Sequence, residues 1–114
     1  MPKRLPLAGV RILDLSTLLP GPLATQHLAD QGAEVIKIEA PGGGDSARAL
    51  GATDAAGESF FFRNVSRNKK SIVLDLKQAK GRAVFLRLVE SADVVVEGFR
   101  PGVMARLGLD YAQL

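Results

Sequence analysis

Four short runs of branched apolar residues punctuate this chain, and the segments between them restrict the architecture. Val10-Arg11-Ile12-Leu13-Asp14-Leu15, Glu34-Val35-Ile36-Lys37-Ile38-Glu39, Ser71-Ile72-Val73-Leu74-Asp75-Leu76 and Asp93 to Glu97 each read as a strand. After the first comes the turn Pro20-Gly21-Pro22, with Pro22 suited to the first turn of a helix. Leu23 to Gln31 reads as that helix, with Gly32 as its stop. Gln78 to Ser91 reads as a second helix whose apolar stripe is Val84, Phe85, Leu88 and Val89. The order is β-α-β-loop-β-α-β-α, which predicts a parallel sheet with right-handed crossovers. Four strands make a thin sheet with exposed edges. Leu109-Asp110-Tyr111 begins a further helix. The expected fold is therefore α/β, a parallel sheet with flanking helices, and residues 1–114 look like the beginning of a larger protein.

Residues 40 to 58 are rich in glycine and alanine with weak periodicity, and with Ser59-Phe60-Phe61-Phe62 they read as a mobile loop over 40–62. A loop this long in a small domain is commonly functional. The phenylalanines are expected to anchor it to a core or to a partner chain.

Several function classes are excluded by composition. The chain has no cysteine and a single histidine, His27, so no disulfide framework, thiolate site or His-rich metal site is available. No apolar run approaches the roughly 20 residues of a membrane span, and the first residues lack the apolar segment of a signal peptide. A cytoplasmic chain is expected. The net charge of +3 is too mild to argue for nucleic acid, and the adjacent phenylalanines are not spaced for base stacking. Gly42-Gly43-Gly44-Asp45 is not a dinucleotide fingerprint, no P-loop is present, and no nucleophile elbow surrounds Ser16 or Thr17. Asp14 and Asp75, flanked by apolar residues, read as strand-end carboxylates that cap a helix or orient a loop.

Anion binding remains. Glu97-Gly98-Phe99-Arg100-Pro101-Gly102 follows the last strand and leads towards Arg106 and Gly108. A bend at the carboxyl end of a strand is where open α/β sheets place ligands, and two arginines there suit an anion. Arg63, Arg67, Lys69, Lys70, Lys77, Lys80 and Arg82 crowd one segment against a single acid, Asp75. The turn Leu18-Leu19-Pro20-Gly21-Pro22 leads into a helix N-terminus whose N–H groups favour anions. Taken alone, the cluster reads first as a solvated basic face.

The chain resembles the N-terminal part of the family III CoA-transferases, the group that includes the α-methylacyl-CoA racemases. The resemblance rests on Pro6 to Leu15, Pro20-Gly21-Pro22, Leu28 to Glu39, Gly44-Asp45, Asn68 to Lys77, and Ala92 to Gly108, all in order. It implies a Rossmann-like domain joined to a smaller one, in a homodimer of interlocked subunits, with acyl-CoA and carboxylic acids as substrates. Carried over by position, Leu18, Leu19 and Pro20 line the pantetheine or thioester end of coenzyme A. Leu74, Asp75, Leu76 and Lys77 lie along its nucleotide part. Gly98, Phe99 and Arg100 form a wall, Arg106 contacts the phosphate-bearing end, and Leu107 packs beside it. Many relatives carry an arginine where this chain has Ala40, so Arg48 or another cation is expected to substitute.

The resemblance also implies the chemistry. The transferases act through an aspartyl–CoA anhydride, and the racemases through a histidine and an aspartate. These groups align beyond Leu114, so the implied role is the CoA-binding portion of a CoA-transferase, inactive alone and without a metal. The length of the Ser46–Phe62 region favours transferase over racemase. A CoA-binding module without catalysis is the alternative from another class.

Overall fold

The computed structural model describes residues 4–114. Its sheet has four parallel strands, β1 (Arg11–Asp14), β2 (Glu34–Glu39), β3 (Lys69–Val73) and β4 (Val94–Val96), in the order β3-β2-β1-β4. Helix α1 (Pro20–Asp30) connects β1 to β2, α2 (Phe60–Asn64) precedes β3, α3 (Ala79–Val89) connects β3 to β4, and α4 (Val103–Arg106) follows. The expected α/β architecture is present.

Strand alternation sorts the core into two layers. Leu13, Leu15 and Ile38 face Phe85 and Leu109 on the α3 side. Ile12 and Val35 face Ala29 and Ala33 on the α1 side. Phe85 and Leu13 are wholly buried. Val84, read as part of the apolar stripe of α3, is 40% exposed.

Element ends differ from the sequence reading in informative ways. Helix α1 begins at Pro20 rather than Leu23, since proline needs no amide partner in a first turn. Strand β3 lies two residues earlier than the Ser71–Leu76 reading, over Lys69–Val73. It is an edge strand, where lysines are tolerated, while Leu74 to Leu76 have left the sheet. The 40–62 segment contains a 3-10 turn, Ser46–Ala49, capped by the Asp45 side chain, and the start of α2, capped by the Ser59 hydroxyl.

Gly81 sits where α3 closes over the stretch that follows β3. A β-carbon there would lie 2.0 Å from the Asp75 carbonyl oxygen. In an open helix Gly→Ala stabilises by up to about 1 kcal/mol. Here the sign reverses: Gly81→Ala is expected to cost about 2–3 kcal/mol in urea denaturation, and a stabilised variant would contradict the packing.

Candidate functional site

The strands run in one direction, so their carboxyl ends share one rim. Sequential connections carry the chain from β1 through β2 to β3, and then back to β4 on the far side of β1. Open α/β sheets bind ligands outside the strand ends, next to such a reversal. A cleft of about 240 Å³ occupies that place. Leu15 and Thr17 from the end of β1, Ile38, Glu39 and Ala40 from β2, Leu74 to Lys77 from β3, and Phe99, Val103 and Leu107 from β4 and α4 line it. Its volume is below the roughly 300–1,000 Å³ of drug-sized sites, so it suits one portion of an extended ligand.

Leu74, Asp75, Leu76, Lys77, Phe99 and Leu107, all singled out from the sequence, meet at this cleft. The Asp75 carboxylate accepts the Lys77 amide at 3.1 Å, fixing the tight turn that brings Lys77 to the rim. Gly98 precedes Phe99 without lining the cleft, and the Phe99 amide donates to Glu97 at 2.8 Å. Leu18, Leu19 and Pro20 follow Thr17 on the outer side of the β1–α1 turn, where Leu18 and Leu19 are each 43% exposed. Arg100 is exposed and outside the lining, as is Arg106, whose Nε donates to its own helix at Gly102 O, 3.4 Å away.

The basic segment is largely neutralised. Lys69 pairs with Asp14, Lys70 with Glu34, Arg67 with Asp30, and Arg63 with Asp54 and Glu58. Arg82 donates to Leu76 O at 3.1 Å. Arg48, expected to substitute at the Ala40 position, is held by Glu39, with Nε 2.8 Å from Oε1 and a second nitrogen 2.7 Å from Oε2, and it stacks 4.1 Å from the Phe62 ring centroid. Lys77 is the cation that remains at the cleft without an acidic partner among the described residues. The N-terminus of α1 is also a poor anion trap, because Pro20 and Pro22 remove two of its donors. A larger hollow of about 650 Å³ beside β4 is lined by Asp93, Glu97 and Asp110 and by no cation, which suits an anion less well.

Beneath the cleft lies a buried charged layer that sequence reasoning missed. In the sheet register Asp14 sits beside Lys37, and Lys37 beside Ser71, all facing the α1 side. The Lys37 ammonium lies 2.7 Å from Asp45 Oδ2, off the angle of a good hydrogen bond, and donates to Ser16 O at 3.0 Å. Lys69 lies 3.3 Å from Asp14 Oδ2. Asp14 also accepts from the Ser16 amide and hydroxyl and from Thr25 Oγ1. It therefore orients a loop, as read from the sequence. Burial pushes the Lys69 ammonium down, against the pull of Asp14. It likewise pushes the Asp45 carboxyl up, but the Lys37 ammonium with the Ala47 and Leu18 amides holds it below the usual range. A lysine inside a run destined for a central parallel strand was the available signal, since such strands are normally apolar on both faces.

Leu18 is the strained member of the site. Its φ is +67°, a conformation that costs a branched residue roughly 1–2 kcal/mol. Its amide donates to Asp45 Oδ1 at 3.2 Å.

An open parallel sheet with a cleft at its carboxyl rim, beside a reversal of strand order, defines a doubly wound type of α/β domain. Residues 7–114 match the family model described as CoA-transferase family III, and the chain belongs to that family. A succinyl-CoA:glutarate CoA-transferase of Mus musculus is 47% identical over 109 residues, covering 96% of this chain and 25% of that protein. An acetyl-CoA:oxalate CoA-transferase of Acetobacter aceti is 49% identical over 109 residues, covering 96% and 28%. The crystal structure of a CAIB/BAIF family protein from Brucella suis superposes with a TM-score of 0.90 at 39% identity, over 97% of this chain and 30% of that one. The chain thus spans between a quarter and a third of the relatives' length. Among the described residues no helix is long and apolar enough to cross a membrane, and no group of three or more His, Cys, Asp or Glu gathers as a metal site.

Glu39 gives this layer a pH signature. The Arg48 guanidinium holds its carboxyl at about 2, against burial and with help from the Asp45 amide and the Ser71 hydroxyl, where the ordinary value is 4.5. The folded value is depressed, so the contribution to stability is complete above about pH 4.5 and is lost as pH falls towards 2. Urea midpoints should show Glu39→Gln less stable than the parent at pH 7, with the gap closing between pH 4.5 and 2. A gap independent of pH would contradict the pairing.

Proposed function

We propose that this chain supplies the CoA-binding portion of an acyl-CoA:carboxylate CoA-transferase, and that the cleft along Leu74–Lys77, Phe99 and Leu107 receives part of the CoA. The observation that carries this reading is the convergence of these residues on one carboxyl-rim cleft, with Lys77 as its unpaired cation. Apolar walls suit the uncharged faces of the ligand, and a lysine at the rim suits a phosphate. Leu18, Leu19 and Pro20, beside Thr17, would meet the pantetheine or thioester end. Arg100 and Arg106 are exposed and would meet the phosphates by side-chain reorientation. No metal is called for.

In this reading the cleft's task is binding and orientation. The covalent step belongs to an aspartate outside these residues. Its carboxylate attacks the thioester carbonyl, expelling CoA thiolate and leaving an acyl–aspartyl anhydride. The thiolate then attacks the aspartyl carbonyl, releasing the first acid and leaving an aspartyl–CoA thioester. The acceptor carboxylate attacks that aspartyl thioester, expelling CoA thiolate and forming a second mixed anhydride, and the thiolate then attacks the acceptor's carbonyl to give the new acyl-CoA and the free aspartate. Within the segment 40–62, the part beyond the 3-10 turn that Asp45 anchors would move to admit the substrates, and the polypeptide would work as an interlocked homodimer in the cytoplasm. The relatives' names favour transfer over racemisation.

Two measurements test this. With the native full-length polypeptide, CoA from a labelled acyl-CoA should appear on a second carboxylic acid. Deuterium exchange at the α-carbon without transfer would establish the racemase instead. Lys77→Ala should weaken CoA binding about tenfold, as expected for one charged contact, and the loss should shrink with a ligand lacking the phosphate that Lys77 meets. Equal CoA affinity in parent and variant would overturn the assignment of this cleft.

A further inference from the structure

We propose that the buried Lys37–Asp45 pair is a positioning device for the β1–α1 turn, holding the Ser16–Leu18 backbone so that Leu18 keeps its left-handed conformation beside the cleft. The inference rests on the preceding reading of the cleft as a CoA site. Lys37 and Asp45 come from β2 and from the loop after it, and their side chains are 2% and 1% exposed. Both end on the backbone of one turn. Lys37 Nζ donates to Ser16 O at 3.0 Å, and Asp45 Oδ1 accepts the Leu18 amide at 3.2 Å. These two contacts straddle Thr17, which lines the cleft. Asp14 holds the Ser16 amide at 2.9 Å from the other side.

Stability alone gives little reason for this arrangement. A buried ion pair is commonly no better than an apolar pair of the same volume, because both charges lose their water. What the charges provide is direction, since an ammonium and a carboxylate can each grip a backbone group where a methionine or leucine cannot. Leu18 is the residue that needs the grip, since a non-glycine residue at φ +67° persists only where its surroundings overdetermine it. Gly21 completes the fit. A β-carbon there would fall 2.2 Å from Ser16 Cβ, so the start of α1 closes directly onto the clamped turn. Asp45 Oδ1 also accepts the Ala47 amide at 2.9 Å, so one carboxylate ties the 3-10 turn to the β1–α1 turn.

The test uses the double variant Lys37→Met with Asp45→Leu in the native polypeptide, which removes both charges and leaves none unpaired. Hydrogen exchange should show the Leu18 amide opening at least tenfold faster while the β2 amides keep their protection. CoA affinity should fall about tenfold, and the KM for acyl-CoA should rise with the KM for the acceptor acid unchanged. A folded double variant with parental Leu18 exchange overturns the proposal. So does faster exchange with unchanged CoA affinity. Should the double variant not fold, Asp45→Asn keeps the shape and an acceptor oxygen but removes the charge. It should still raise both the Leu18 exchange rate and the CoA dissociation constant, about threefold, and parental values would overturn the proposal. A parent that binds no CoA would sink the preceding functional reading, and the Leu18 exchange rates would still decide whether the pair holds the turn.

Discussion

The α1 side of the sheet depends on how three carboxylates, Asp14, Glu39 and Asp45, are neutralised away from water. Each has a cation at hand, Lys69, Arg48 and Lys37, and each also accepts backbone or hydroxyl donors. Removing one partner from a buried pair typically costs about 3–5 kcal/mol, so the layer tolerates little editing. Asp14 and Glu39 end β1 and β2, Lys37 lies inside β2, Asp45 and Arg48 belong to the 3-10 turn that follows, and Lys69 begins β3. The charged layer therefore fixes the rim of the sheet, and the rim carries the cleft.

The two faces of the sheet divide the labour. On the α3 side Leu13, Leu15, Ile38 and Phe85 form an apolar floor that continues into the cleft wall through Leu74, Leu76, Phe99 and Leu107. On the α1 side the apolar core, Ile12 and Val35, gives way one pleat later to Asp14 and Lys37. Strand period two makes this possible, since one register places hydrophobes towards one helix layer and charges towards the other. A cleft between an apolar floor and a rigid polar rim can hold both the oily and the charged parts of an extended ligand.

Much of this was legible in the residues. The strand and helix order follows from periodicity, and Leu74–Lys77, Phe99 and Leu107, which the family resemblance singles out, share one cleft. Three things were hidden. The β3 reading slipped by two residues because its edge position admits Lys69 and Lys70, whereas the apolar Leu74 and Leu76 serve the cleft. Helix α2 has only the Phe60–Asn64 turn, too short to show a period, although Ser59 before it was a usable cap signal. The basic segment looked unpaired because its acids lie far away along the chain: Asp14 for Lys69, Asp30 for Arg67 and Glu34 for Lys70. A window of sequence counts charges but does not see partners that folding brings in from another strand or helix.

Backbone NMR of the isotope-labelled protein during titration with CoA addresses the central claim most directly, because it reports where the ligand sits without requiring turnover. The account predicts saturable shifts at Thr17, at Leu74 to Lys77, and at Phe99 and Leu107, while amides at the opposite end of the sheet, such as Arg11 and Glu34, stay still. Shifts confined to the hollow beside β4 or to the arginine side around Arg63 and Arg67, with the cleft unmoved, would contradict it.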